Sequence, residues 1–112
     1  MQKQVDPAIK GRADLETAID RATDLLAEEM GRSASTAKAE WTLTRDTRSR
    51  ELLELRVSDW TGSVGYRFAP DELADRDHMQ YRLHRLWGDL LMVRSHVQMD
   101  GHLGPFHELE GS

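Results

Sequence analysis

Five histidines, His78, His84, His96, His102 and His107, all fall in the last third of the chain, and imidazoles are the side chains best suited to bind a metal or move a proton near neutral pH. Their spacing argues against both roles. His78 and His96 share the polar face of a C-terminal helix with Arg82, Arg85 and Asp89; no two histidines there stand three or four residues apart, and the guanidiniums repel a cation. In the tail, Asp100, His102, His107 and Glu108 are close in sequence, but Gly101, Gly104 and Pro105 leave them without a rigid scaffold. No metal site is expected. Asp71, Glu72, Asp75 and Asp77 resemble paired acid-base carboxylates, yet an acidic first turn is what a helix dipole favours in any case. The stretch Gly62-Ser63-Val64-Gly65 is too short for a phosphate loop, and no nucleophile elbow or dinucleotide fingerprint occurs. The absence of cysteine excludes disulfides, thiolate zinc sites and a cysteine nucleophile. The sequence therefore offers no catalytic residues and no cofactor site. The one small-ligand or enzymatic alternative is a pocket between sheet and helices lined by Tyr66, Trp41 and His84.

Arginines cluster at Arg45, Arg48 and Arg50, beside Arg56 and Arg67, which is the pattern of a phosphate-binding hairpin. Asp46, Glu51, Glu40 and Glu54 interleave with them, so self-neutralising surface pairs are the expected outcome. Twenty acidic against 15 basic residues give a net charge of -5, which opposes attraction to a polyanion. Nucleic-acid binding through the arginine-bearing hairpin is the alternative function, and an unfavoured one.

The elements that would position these groups follow from periodicity. Leu15, Ala18, Ile19, Ala22, Leu25, Leu26 and Met30 recur at helical spacing over about Pro7–Met30, with Gly31 as a stop and Gly11 allowing a later start near Arg12. From Ala37 to Ala69 the period becomes two, and three strands fit: 37–45, 52–60 and 64–69. Trp41, Leu43, Leu53, Leu55, Val57, Val64, Tyr66 and Phe68 make a dry face, and Glu40, Thr42, Thr44, Glu54, Arg56, Ser58 and Arg67 a wet one. Pro70-Asp71-Glu72-Leu73 opens a second helix expected to run to Met99, before a loose tail over 100–112 that docks by Leu103 and Phe106; Gly111-Ser112 reads as an expression scar. The fold class is α+β: a two-layer sandwich of helix, three-stranded antiparallel meander and helix, forming a single domain over 1–112 with its core in about 7–99. The order is similar to that of double-stranded RNA-binding domains. Those domains start their second helix with a lysine cluster, and this chain has Pro70-Asp71-Glu72-Leu73-Ala74-Asp75 there, so their function does not transfer.

In the second helix, Met79, Leu83, Leu86, Leu90, Val93 and Val97 step by four, three, four, three and four, the pattern of a heptad seam, and Trp87 and Leu91 widen it. Either the whole stripe serves the internal core, or part of it pairs with the same helix of a second copy. Arg94 falls inside the apolar arc, where it must snorkel or meet a carboxylate on a partner. Trp60, with Leu52, falls on the wet face of the second strand, either covering the turn or anchoring an interface. The expectation is a non-enzymatic protein-interaction module, adaptor, chaperone-like or regulatory, homodimeric through the second helix. Its contact residues would be Met79, Leu83, Leu86, Trp87, Leu90, Val93, Arg94, Val97 and Trp60. The longest strongly apolar run is Leu90-Leu91-Met92-Val93, so no membrane span is expected, and a cytoplasmic location follows by default.

Overall fold

A computed structural model describes the backbone of residues 1–111 and the side chains of residues 1–96. The chain is α+β, with a four-stranded mixed sheet in the order β1-β2-β3-β4 and two helices. Three strands match the expected meander: β2 (Lys38–Arg45), β3 (Glu51–Asp59) and β4 (Gly62–Phe68), paired antiparallel.

The fourth strand corrects the sequence reading. β1 (Gln2–Val5) lies parallel to β2, with Gln2 beside Lys38 and Val5 beside Trp41. Its amide groups are tied in at both ends, Gln2 N donating to Ala37 O at 3.1 Å and Asp6 N to Trp41 O at 2.9 Å. The Asp6 carboxylate then accepts from Ala8 N and Leu43 N, fixing the exit from the strand. Gly11, at φ +91°, takes a conformation that side-chain-bearing residues avoid, which separates the Pro7–Gly11 turns from α1 (Ala13–Met30). The helix therefore starts after Gly11 and not at Pro7.

Alternation in the strands sorts the two faces as expected. Ala39, Trp41, Leu53, Leu55, Val57 and Phe68 are buried against Leu15, Ile19, Ala22 and Leu26 of α1 and against the second helix. Trp41 keeps its indole N–H satisfied inside this core, donating to Thr23 Oγ1 at 3.1 Å, while Thr23 donates to Ile19 O at 2.7 Å. The other face carries Thr42, Glu54, Arg56 and Arg67 and is open.

After β4 the chain makes a 3₁₀ turn, Pro70–Ala74, before α2 (Arg76–Gly111). The helix thus begins six residues after Pro70, where Asp75 caps it by accepting from His78 N at 3.1 Å. Glu72 ties the turn to both neighbours: one carboxylate oxygen accepts from Ala69 N, the other from Arg82 at 2.8 Å and His78 at 3.0 Å. Burial pushes the Glu72 carboxyl up, but these bonds and the Arg82 charge outweigh it and hold the group below the usual range. Arg82 also lies over the Phe68 ring at 4.5 Å. The backbone stays helical through Asp100 and Gly101, where composition suggested a stop. The docking expected of Leu103 and Phe106, and the histidines of the tail, lie outside the described side chains.

Candidate interaction surface

The seam of α2 faces inward. Met79, Leu83, Leu86 and Leu90 are each at most 1% exposed, sealed against the sheet and α1 of the same chain. On this packing none of the four offers surface to a second copy, which is the internal-core alternative of the sequence reading. The cover comes from α1 and β4, the elements that α2 packs against. Trp87 is half-buried against the core, and Val93 is half-buried below the β3–β4 hairpin. Val97 lies outside the described side chains.

Arg94 finds its carboxylate within the chain. Its Nη2 donates to Asp59 at 2.9 Å, its Nη1 donates to Ser33 Oγ at 3.3 Å, and its guanidinium lies 5.3 Å from the centroid of the Trp87 ring. Arg94 Nε is buried without a partner. The Asp59 side chain is fully buried. Burial alone would push its carboxyl up, but donation from Thr61 and Arg94, with the Arg94 charge, holds it below the usual carboxylate range. No partner subunit is needed to explain Arg94. Asp59 and Ser33 are the residues that periodicity missed, although one signal was present. Asp59 continues the inward alternation of Leu53, Leu55 and Val57, and so belonged on the helix side of the sheet from the outset.

This ion pair builds the turn that carries Trp60. Asp59 and Gly62 pair directly, leaving Trp60 and Thr61 as a two-residue hairpin loop. Asp59 accepts from both the amide and the hydroxyl of Thr61, which is itself buried. Gly62 has φ +154°, and a Cβ there would stand 2.7 Å from Val93 Cγ1, so only glycine lets the hairpin sit this close to α2. The loop is thereby pinned by α2, by Ser33 through Arg94, and by its own Asx bonds. Trp60 alone points away from this anchored stem. It is in the loop and not on the wet face of β3, and it is 69% exposed. The exposed indole offers a docking partner a large apolar face with a hydrogen-bonding N–H at its edge. Leu91, three residues before Arg94 on α2, and Met92 are also exposed.

The remaining candidate groups are dispersed. Trp41 is in the core, Tyr66 donates to Asp89 at 2.6 Å, and His84 sits on the surface paired with Glu29. Burial, and then the bond and charge of Asp89, push the Tyr66 phenol up, against the pull of nearby Arg85 and Arg82. His78 meets Glu72, and among the described residues no group of three or more histidines and carboxylates is placed to hold a metal. A cleft of about 340 Å³ lies between α1 and the start of α2, floored by Leu25, Leu73 and Met79 and flanked by Arg21 and Arg76.

Two of the three hairpin arginines, Arg45 and Arg50, are engaged locally. Arg50 pairs with Asp46 at 3.0 Å, Arg12 with Glu51 at 3.1 Å, and Arg45 donates to Ser49 O at 2.9 Å. Bonds from the Arg50 amide, working against desolvation, and then from the Arg48 amide and Arg50 side chain, hold the Asp46 carboxyl down. Arg56 and Arg67 flank Glu54 on the open face. No helix among the described residues is long and apolar enough to cross a membrane. Comparison with protein-family models, with curated proteins and with solved structures finds no match for this chain.

Proposed function

We propose that the chain is a non-enzymatic protein-interaction module that engages its partner through the Trp60 end of the sandwich. The observation that supports this is an indole 69% exposed on a turn pinned by a buried ion pair and a glycine contact. A tryptophan held out by a rigid stem loses little conformational entropy on docking, and such residues dominate binding energies at interfaces. An adaptor, chaperone-like or regulatory role each requires only such a surface. The homodimer read from the seam is not retained in that form, because pairing two copies along Met79, Leu83, Leu86 and Leu90 would require those side chains to leave their own core.

The test is affinity purification from the native cell with the wild-type chain and with Trp60→Ala. Proteins retained by the wild type and lost from the variant, at unchanged thermal stability, support the reading. Identical retention by both removes it. Light scattering at high micromolar concentration is expected to give a monomer, and a dimer that survives Trp60→Ala would mean that the seam opens in solution.

A further inference from the structure

The hairpin that carries Trp60 continues into the free edge of the sheet, and that edge has the chemistry to choose a partner. β4 is the last strand in the order β1-β2-β3-β4. The directly paired Asp59 and Gly62 close a two-residue turn, so hydrogen-bonded pairs recur at Val57–Val64, Leu55–Tyr66 and Leu53–Phe68. The N–H and C=O groups of Ser63, Gly65 and Arg67 therefore point away from the sheet, and all three residues are exposed. One of these groups is already used from that side: Arg82 Nη1 donates to Arg67 O at 3.0 Å. Gly65 presents no side chain at the middle of the row, so another backbone can approach it.

Guanidiniums flank this row above and below. On the open face Arg56 lies over Gly65, where a Cβ would be 3.7 Å from its Nη2, and donates to Ser63 Oγ at 3.2 Å; Arg67 stands beside it, 69% exposed at the side chain. On the helix side Arg82 lies over the Tyr66 ring at 5.3 Å, and the charge of Arg85 reaches the Tyr66 phenol. Four carboxylates, Glu40, Glu54, Asp89 and Glu72, stand among four arginines and Lys38 here, and each of these bonds uses only one or two of a guanidinium's five donors. A local excess of positive charge along an unpaired strand stands out in a chain of net charge -5.

We infer that the β4 edge takes an extended acidic peptide segment as an added strand, its backbone pairing with Ser63 and Gly65 and accepting from the Arg67 amide, and its carboxylates meeting Arg56 and Arg67 on the open face. The inference rests on the interaction-module reading and gives that partner its chemistry. Main-chain bonds supply affinity, alternate side chains supply selectivity, and a segment running towards Gly62 ends beside the Trp60 turn. A second copy of this chain is a poorer occupant, because symmetric β4 pairing about Gly65 would bring two Arg56 guanidiniums together.

The test titrates the full chain with three fluorescent nine-residue peptides, alternating Glu-Val, alternating Lys-Val, and Glu-Val with a central proline, together with a single-stranded oligonucleotide. The acidic peptide is expected to bind, with amide shifts at residues 63, 65 and 67, while the proline and lysine peptides bind at least tenfold more weakly. Arg67→Glu and Arg56→Glu should each weaken the acidic peptide at least tenfold without unfolding the chain. No binding of the acidic peptide, equal binding of the lysine or proline peptide, or tighter binding of the oligonucleotide would overturn the proposal. Failure here with a Trp60-dependent partner still captured refutes the acidic-strand inference alone, and loss of both refutes the module.

Discussion

The Asp59–Arg94 pair separates two explanations of the same arginine: a strut within one chain, or half of a contact with another. Removing either member tests this in the isolated protein. Arg94→Met leaves a fully buried carboxylate with only Thr61 to donate to it, and Asp59→Leu leaves a guanidinium whose Nε already lacks a partner, held against Trp87. Breaking a buried pair on one side costs about 3–5 kcal/mol, whereas replacing both members by apolar groups of similar volume is often neutral or stabilising. The Arg94 side chain is 20% exposed, so solvent relieves part of the single-variant cost and about 2–4 kcal/mol is the better expectation. For a domain of this size, 1 kcal/mol shifts Tm by about 4–8 °C, so each single variant should melt at least 8 °C below the wild type.

The double variant Asp59→Leu, Arg94→Met should recover at least half of a single variant's loss, which with single losses of about 2 kcal/mol gives a coupling of about 3 kcal/mol in a double-mutant cycle. Urea unfolding followed by circular dichroism, at concentrations where light scattering gives a single monomeric species, reads all four corners. Additive single effects, or single variants within about 0.5 kcal/mol of wild type, would refute the strut. The pH dependence has a defined sign. The folded carboxyl of Asp59 lies below its ordinary value of 3.8, so its contribution is fully present above about pH 4 and is lost as pH falls through the lower folded value. Asp59→Asn should therefore flatten the acid limb of the stability curve and leave the neutral region with a constant offset.

Three substitutions probe the Trp60 turn and the α2 core separately. Trp60→Ala should change Tm by no more than a few degrees, because the indole is mostly outside the fold, while partner retention is lost; a drop of 10 °C would show that the ring supports the hairpin. Gly62→Ala forces a Cβ into Val93 Cγ1 and places a side chain at φ +154°, for a loss of about 1–3 kcal/mol; Val93→Ala in the same chain should recover the steric share and leave the backbone share, and urea midpoints for the three variants distinguish the two. Leu86→Ala, at a fully buried position, should cost about 2–5 kcal/mol with no change in oligomeric state, whereas a dimer interface there would make the loss depend on protein concentration.

The reasons for the sequence reading's successes and failures lie in what periodicity measures. The meander was legible because alternation in β2, β3 and β4 is enforced by a wet and a dry face, and Trp41, Leu55 and Phe68 could not exchange sides without burying Glu54 and Arg67. β1 was not legible, because Gln2-Lys3-Gln4-Val5 is too short and polar to alternate. It is held by backbone bonds to Ala37 and Trp41 and by Lys3 pairing with Asp20 on α1, and these are tertiary facts. The start of α2 was misplaced for a similar reason: Pro70-Asp71-Glu72 reads as a first helical turn, and only Glu72 bonding forward to Arg82 while receiving Ala69 N closes it as a separate 3₁₀ turn.

The seam shows the deeper difficulty. Heptad spacing states that Met79, Leu83, Leu86 and Leu90 lie on one side of a helix, and says nothing about what stands opposite. The answer depended on α1 and β4, which α2 packs against, and on a hairpin tip that carries Asp59 to Arg94 from 35 positions away. Once the charge inside the stripe is matched within the chain, the apolar surface still seeking cover moves from the helix to its neighbour. The same bonds that tie Arg94 into its own chain hold Trp60 outside the core, so among the described residues the most exposed large apolar side chain stands on a turn pinned by an ion pair. A mobile turn would bind weakly because it must be ordered first; the turn that carries Trp60 is already held by the ion pair beneath it. Weakening the pair should therefore reduce partner affinity even where the domain remains folded. Conditions well below the melting point of Arg94→Met, with binding compared against Trp60→Ala, measure how much of the interaction depends on that stem.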